Sequence, residues 1–177
     1  MNYATFWQRF AAGWLDFFVL LPLYIGVWTA EAYSKAAAWV FAAPAAFGYA
    51  AYAIYFHGRT GQTLGKRMMK IRVVRTTAER IDWREAGLRS SVDVGFAALT
   101  CIGACMAFAA IPDADYYVGW SQRHQNLADQ EPSWMRGIEY ASTIWMLSEV
   151  VVMLFNPQRR ALHDFIAGTV VIQDSTR

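Results

Sequence analysis

Charge is scarce in this 177-residue chain: Asp, Glu, Lys and Arg make up 17% of it, and the net charge is only +2. So small a surplus, without a run of bases that could track phosphates, argues against a nucleic-acid partner. Cysteine is limited to Cys101 and Cys105, four residues apart in an apolar block. On a helix they stack on one face as small packing residues, and the strict geometry of a disulfide argues against a bridge between them. There is no nucleophile elbow, zincin helix or dinucleotide fingerprint, so neither enzyme activity nor a cofactor is expected. His57, His163 and Asp164 are the nearest approach to a metal set, but their spacing matches no known ligand pattern, and no metal is expected. The stretch GRTGQTLGKR (58–67) resembles a phosphate loop only at first sight. Thr60 stands where that motif needs its first glycine, and Arg67 where it needs Ser or Thr, so a glycine-rich interfacial turn is the better reading. Repeats and low-complexity tracts are absent.

What the chain has in abundance is apolar length. Hydrophobic residues make up 56% and aromatics 16%, yet the mean hydropathy is only +0.18, because long apolar blocks alternate with charged connections. A bilayer core about 30 Å thick needs roughly 20 apolar helical residues. Four blocks meet that need: residues 10–29, 36–56, 90–111 and 137–155. The first resembles a secretory signal, with Ala30-Glu31-Ala32 behind it, but it is too long and carries Asp16 in its middle, so it reads as a retained span. The expected fold is an all-α membrane protein of one domain over 1–177: a bundle of four transmembrane helices, a basic cytoplasmic loop and an amphipathic C-terminal segment. In the second span Ala42, Ala46 and Ala50 give a small-residue face for close helix contact, and Pro44 is a site for a kink.

The connection 57–88 holds eight of the sixteen bases. There Leu64, Met68, Met69 and Ile71 alternate with charges, as in a short surface helix, although 71–75 also fits a strand. Asp82, with Glu85 three residues on, reads as a helix cap whose helix runs through Arg89 into the third span. Residues 112–136 read as an aromatic, acidic loop, and 169–172 as a short strand. Thirteen of the sixteen bases fall on one side of this topology, leaving Lys35, Arg123 and Arg136 on the other. Because Lys and Arg accumulate in cytoplasmic connections, both termini are expected inside.

That orientation gathers ionisable groups in the inner half. Asp16 falls about six residues, or roughly 9 Å, into its span, where a carboxylate costs about 2.5–3.5 kcal/mol unless it finds a partner, proton or water. Glu149 lies at similar depth on span four, and Asp93 is shallower on span three. Arg9 and Asp16 share a face but stand about 10.5 Å apart along the axis. Helical side chains lean toward the N-terminus, so Arg9 leans away and the partner of Asp16 is expected on another helix. Asp16 is read as a functional residue, with helix–helix glue as the alternative; Asp93 reads as a solvated interfacial acid.

The segments FWQRFAAGWLDF (6–17), GQTLGKRMMKIRVV (61–74) and NPQRRALHDFIAGTVVI (156–172) come in the order found in the RDD family of small bacterial membrane proteins. The chain resembles that family, named for an arginine before the first span, an aspartate within it and a further aspartate; here these fall on Arg9, Asp16 and Asp164. It departs from the family pattern at Asn156 and Phe165, and the 112–136 loop is longer. The resemblance implies a multi-pass protein of the bacterial cytoplasmic membrane that transports an unidentified ligand, with cation/proton exchange one form, and no enzyme activity. Transport or ion-binding candidates are Arg9, Asp16, Asp93, Glu149 and Asp164. Lys66, Arg67, Lys70, Arg159 and Arg160 are candidates for contact with anionic lipid headgroups or a partner. The alternative function is a non-catalytic accessory protein for another membrane complex, and either form admits a homo-oligomer.

Overall fold

A computed structural model describes residues 2–174. Helix predominates, and four helices are long and apolar enough to cross a membrane: α1 (Phe6–Tyr33), α2 (Lys35–Thr60), α4 (Trp83–Ala110) and α7 (Met135–Phe155). The shortest has 21 residues, about 31 Å at 1.5 Å per residue. α1, α2 and α7 contain the apolar blocks expected of them, and α4 starts seven residues before its block and ends at Ala110, one residue short of it. Between the spans lie α3 (Leu64–Met68), β1 (Ile71–Arg75), α5 (Asp113–Tyr116) and α6 (Trp120–Gln130), and after the last come α8 (Leu162–Ala167) and β2 (Thr169–Gln173). Pro22 and Pro44 are both accommodated inside continuous helix.

The fold is mainly helical with the four expected spans, but it is not all-α, because it also holds one small sheet. Strands β1 and β2 pair antiparallel, with Ile71 opposite Gln173 and Arg75 opposite Thr169. The sequences IRVVR and TVVIQ are dense in β-branched residues, which favour a pleated surface. Left-handed backbone at Gly168 (φ 65°) caps α8, and at Lys70 (φ 53°) it turns the chain from the end of α3 into β1. Helix and strand were both legible in 64–75, and the structure has both in succession. The expected acidic loop also contains two helices, α5 and α6.

Contacts divide the chain into two compact units. Unit 1 comprises 1–21, 49–93 and 143–177; unit 2 comprises 22–48 and 94–142. Unit 1 centres on the sheet. Ala4, Ala12, Ile71, Val73, Ile81 and Val171 form its buried apolar core, and the N-terminal segment joins β2 through the Ala4 amide donating to the Val171 carbonyl at 3.0 Å. The cap foreseen at Asp82 is present: its Oδ1 accepts from the Arg84 amide at 2.7 Å, and its own amide donates to Glu85 Oε2 at 2.9 Å. That reciprocal pair starts α4, which runs unbroken through Arg89.

Unit 2 has a core of Ala38, Ala42, Phe108, Ile111 and Tyr116, with Cys101 and Cys105 packed against it as free thiols. Tyr116 donates to the Glu31 carbonyl at 2.7 Å, and Arg123 spans from the Tyr116 ring to the Ala32 carbonyl.

Candidate ligand site

Every site residue predicted from the sequence falls in unit 1. Asp16 is fully buried, and its carboxylate takes three donors. Tyr52 Oη and the Gly65 amide reach Oδ1, both at 2.7 Å, and Thr63 Oγ1 reaches Oδ2 at 2.6 Å. The proton directions are fixed by the next bonds out. Tyr52 Oη accepts from the Leu64 amide (2.9 Å), and Thr63 Oγ1 accepts from the Lys66 amide (3.3 Å), leaving both hydroxyl protons for Asp16. Asp16 thus caps the first turn of α3, where amides point outward and the peptide dipoles favour an anion. The close approach requires glycine at 65: a Cβ there would stand 2.2 Å from the Ala12 carbonyl oxygen and 2.9 Å from Asp16. One donor comes from another span, as expected for Asp16; the other two come from the connection after α2.

Asp164 is also fully buried, and Arg9 Nη2 donates to its Oδ2 at 2.7 Å. Arg89 Nη1 hydrogen-bonds to its Oδ1 and to Thr169 Oγ1, the latter at 2.6 Å. The Ala161 amide adds a bond to Oδ2 at 3.0 Å. Burial by itself would raise the Asp164 carboxyl, but the guanidinia of Arg89 and Arg9 outweigh it and hold it well below the usual carboxylate range. Arg9 completes its bonding with the Arg159 carbonyl (2.5 Å), so it does turn away from Asp16.

Glu149 on α7 pairs with His163 on α8, at 2.5 Å from Oε1 to Nδ1. Asp93 is exposed and accepts from the Trp145 indole at 3.2 Å. Arg67, Lys70 and Arg159 are exposed, as a lipid- or partner-facing base would be. Arg160 instead is turned inward: its guanidinium lies 4.1 Å from the Phe165 ring centroid and donates to the Thr169 and Asp164 carbonyls. Lys66 is half-buried, and its ammonium has no ion pair or hydrogen bond among the described residues. Burial, then the nearby Arg89 charge, pushes its amine down to about 8.

Arg9, Lys66, Arg89, Glu149 and His163 all line one cavity of about 230 Å³. The rest of the lining is mostly apolar, with Phe6, Phe10 and Gly13 from α1 and Met146, Val150 and Met153 from α7, together with Tyr49 and Ala161. Arg89 Nε is buried there without a partner. The donors Tyr52, Thr63 and Thr169, and the pairing of His163, were not anticipated. A Thr two residues before a Gly, opening a short helix, is the one local signal that could have pointed to Thr63. Unit 2 carries its own cavity of about 500 Å³, walled by Trp28, Tyr116, Trp120 and His124.

A family model described as "RDD family" matches residues 3–168. No curated protein and no solved structure matches the chain.

Proposed function

The chain belongs to the RDD family, and on that premise we propose that it is a small proton-linked transporter whose ligand is anionic and binds in the Lys66–Arg89 cavity. Its setting is the bacterial cytoplasmic membrane with both termini inside, a reading supported by the excess of bases in the 57–88 connection and the tail. The observation that carries the proposal is the surplus of positive charge in the cavity. Three bases face it, whereas Asp164 serves Arg9 and Arg89 together and Glu149 is paired with His163. Lys66 is left without a counterion, and a bare alkali cation would meet three like charges there. The Glu149–His163 pair is the proton-carrying element, since a bound anion and a mobile proton compensate each other's charge. Asp16 has the part of a structural clasp in this scheme, its three donors leaving no open coordination for a cation.

The test uses inside-out vesicles with a fluorescent pH reporter and an imposed proton gradient. Sodium phosphate or sodium sulfate is expected to dissipate the gradient with the wild-type protein and not with Lys66→Gln at matched membrane level. Chlorides of Na⁺, K⁺ and Li⁺ should leave it intact. Collapse by one chloride alone would replace this reading with cation exchange. No response to any salt would rule out a free ion as the ligand and leave a lipid-borne anion or the accessory role, and co-purifying lipids and partners would become the object of study.

A further inference from the structure

The cavity's lining combines charged groups with apolar side chains of α1 and α7, and that combination says more about its ligand than charge alone. A site made for free phosphate or sulfate surrounds the ion with donors, because each oxygen brought out of water needs a new partner. Here the donors Arg9, Tyr49, Lys66, Arg89 and His163 share the lining with apolar side chains of α1 and α7. Phe10 and Met146 in that lining are both about half exposed. They belong to α1 and α7, two of the four helices able to cross a membrane. An oxyanion seated against Lys66 therefore has hydrocarbon-compatible surface directly beside it. Among the described residues the Lys66 ammonium makes no ion pair or hydrogen bond, and the buried Arg89 Nε has no partner.

We propose that the cavity binds the phosphate-bearing headgroup of an anionic membrane amphiphile, with Lys66 and Arg89 on the oxyanion and the acyl portion leaving past Phe10 and Met146. This rests on the reading of the cavity as the ligand site of a transporter. It narrows the ligand from any oxyanion to one carrying a hydrocarbon tail. Arg89 is already held by Asp164 and Thr169 and supplies a fixed donor, while Lys66 supplies the mobile charge. Gly13 matters as an opening: a Cβ placed there meets nothing within 4 Å, so the helix surface at that point borders free space in the cavity wall.

The experiment is equilibrium binding to the purified full chain in neutral detergent, read by native mass spectrometry. The probes are phosphatidylglycerol, phosphatidylcholine of the same chain length, and inorganic phosphate. One phosphatidylglycerol per chain is expected to bind at least tenfold more tightly than phosphatidylcholine, with inorganic phosphate displacing it only weakly. Lys66→Gln should reduce that preference about tenfold, and Lys66→Arg should restore most of it. Gly13→Leu blocks the cavity without touching a charge and should reduce binding of phosphatidylglycerol by a similar factor, so the proposal stays testable if the lysine variant fails to fold. Equal binding of the two lipids, or unchanged binding in Gly13→Leu, overturns the assignment. Displacement by inorganic phosphate at equal concentration overturns it in favour of a free oxyanion. No gradient is involved, so a chain that prefers phosphatidylglycerol but moves no protons refutes the transport reading alone. A chain that moves protons without that preference refutes only this inference.

Discussion

Replacing Asp16 by Asn tests whether this residue is a clasp. The side chains are nearly isosteric, so the change is in bonding and not in volume. The carboxylate accepts from Tyr52, Thr63 and the Gly65 amide at 2.6–2.7 Å. A hydrogen bond to a charged group contributes about 1.5–3 kcal/mol, and a neutral acceptor gives roughly half of that. At the lower figure the three bonds sum to about 4.5 kcal/mol. Asn keeps its carbonyl oxygen toward Tyr52 and Gly65, retaining about 1.5 kcal/mol, and turns an NH₂ toward the Thr63 hydroxyl, which must then rotate. The expected loss is about 3 kcal/mol of unfolding free energy, measured by reversible denaturant titration of the detergent-solubilised protein. A cycle with Thr63→Val should return a coupling of about 1 kcal/mol or more, since the two side chains touch. A loss below about 0.5 kcal/mol, the range of an ordinary surface change, would refute the clasp. Asp16 would then be free to act in transport.

Two further perturbations bear on the same unit. Gly65→Ala drives a Cβ to 2.2 Å from a backbone oxygen that cannot rotate away; a destabilisation of about 1–3 kcal/mol by overpacking is expected, and the same titration measures it. Lys66, with its amine pushed down to about 8, should acylate with a midpoint near that pH, well below an ordinary lysine, as followed by peptide mass spectrometry across a pH series. Because the folded chain releases this proton more readily than the unfolded one, stability should rise with pH from about 8 toward the ordinary lysine value, and not fall. Phosphatidylglycerol in the cavity should move the acylation midpoint upward.

The four spans were legible because a membrane demands length and apolarity, which are read from a window of sequence without knowing the neighbours. The α4 start was legible for a similar reason: Asp82 and Glu85 satisfy each other within one turn. What bonds Asp16 was not, because two of its donors stand 47 and 49 residues away and one is a backbone amide that any residue would supply. The Arg89–Asp164 contact joins residues 75 apart, and nothing local to either distinguishes it. The α6 helix escaped notice because WSQRHQNLADQ is polar on the whole and short of apolar residues. Its inward face joins Leu127, packed on the unit 2 core, to buried Arg123, which lies over the Tyr116 ring and donates to the Ala32 carbonyl. A stripe of so few apolar residues is a weak periodic signal.

The three residues that give the family its name bear on where ligand chemistry should be sought. Arg9 and Asp164 bond to one another, and Asp16 is spent on α3, so all three hold unit 1 together. A carboxylate with three fixed donors must break them before it can bind anything else, and in a site without bulk water each break costs nearly its full value. Removing Asp164 would leave two buried guanidinia unpaired, a loss of about 3–5 kcal/mol by the usual cost of a broken buried pair. Loss of transport in variants of Arg9, Asp16 or Asp164 would therefore report a collapsed unit as readily as a missing ligand contact. Lys66, Glu149 and His163 face the cavity with fewer bonds each. On the transport reading their exchange perturbs the cavity more than the fold, and a phenotype of variants at these positions is the one that reports on the ligand.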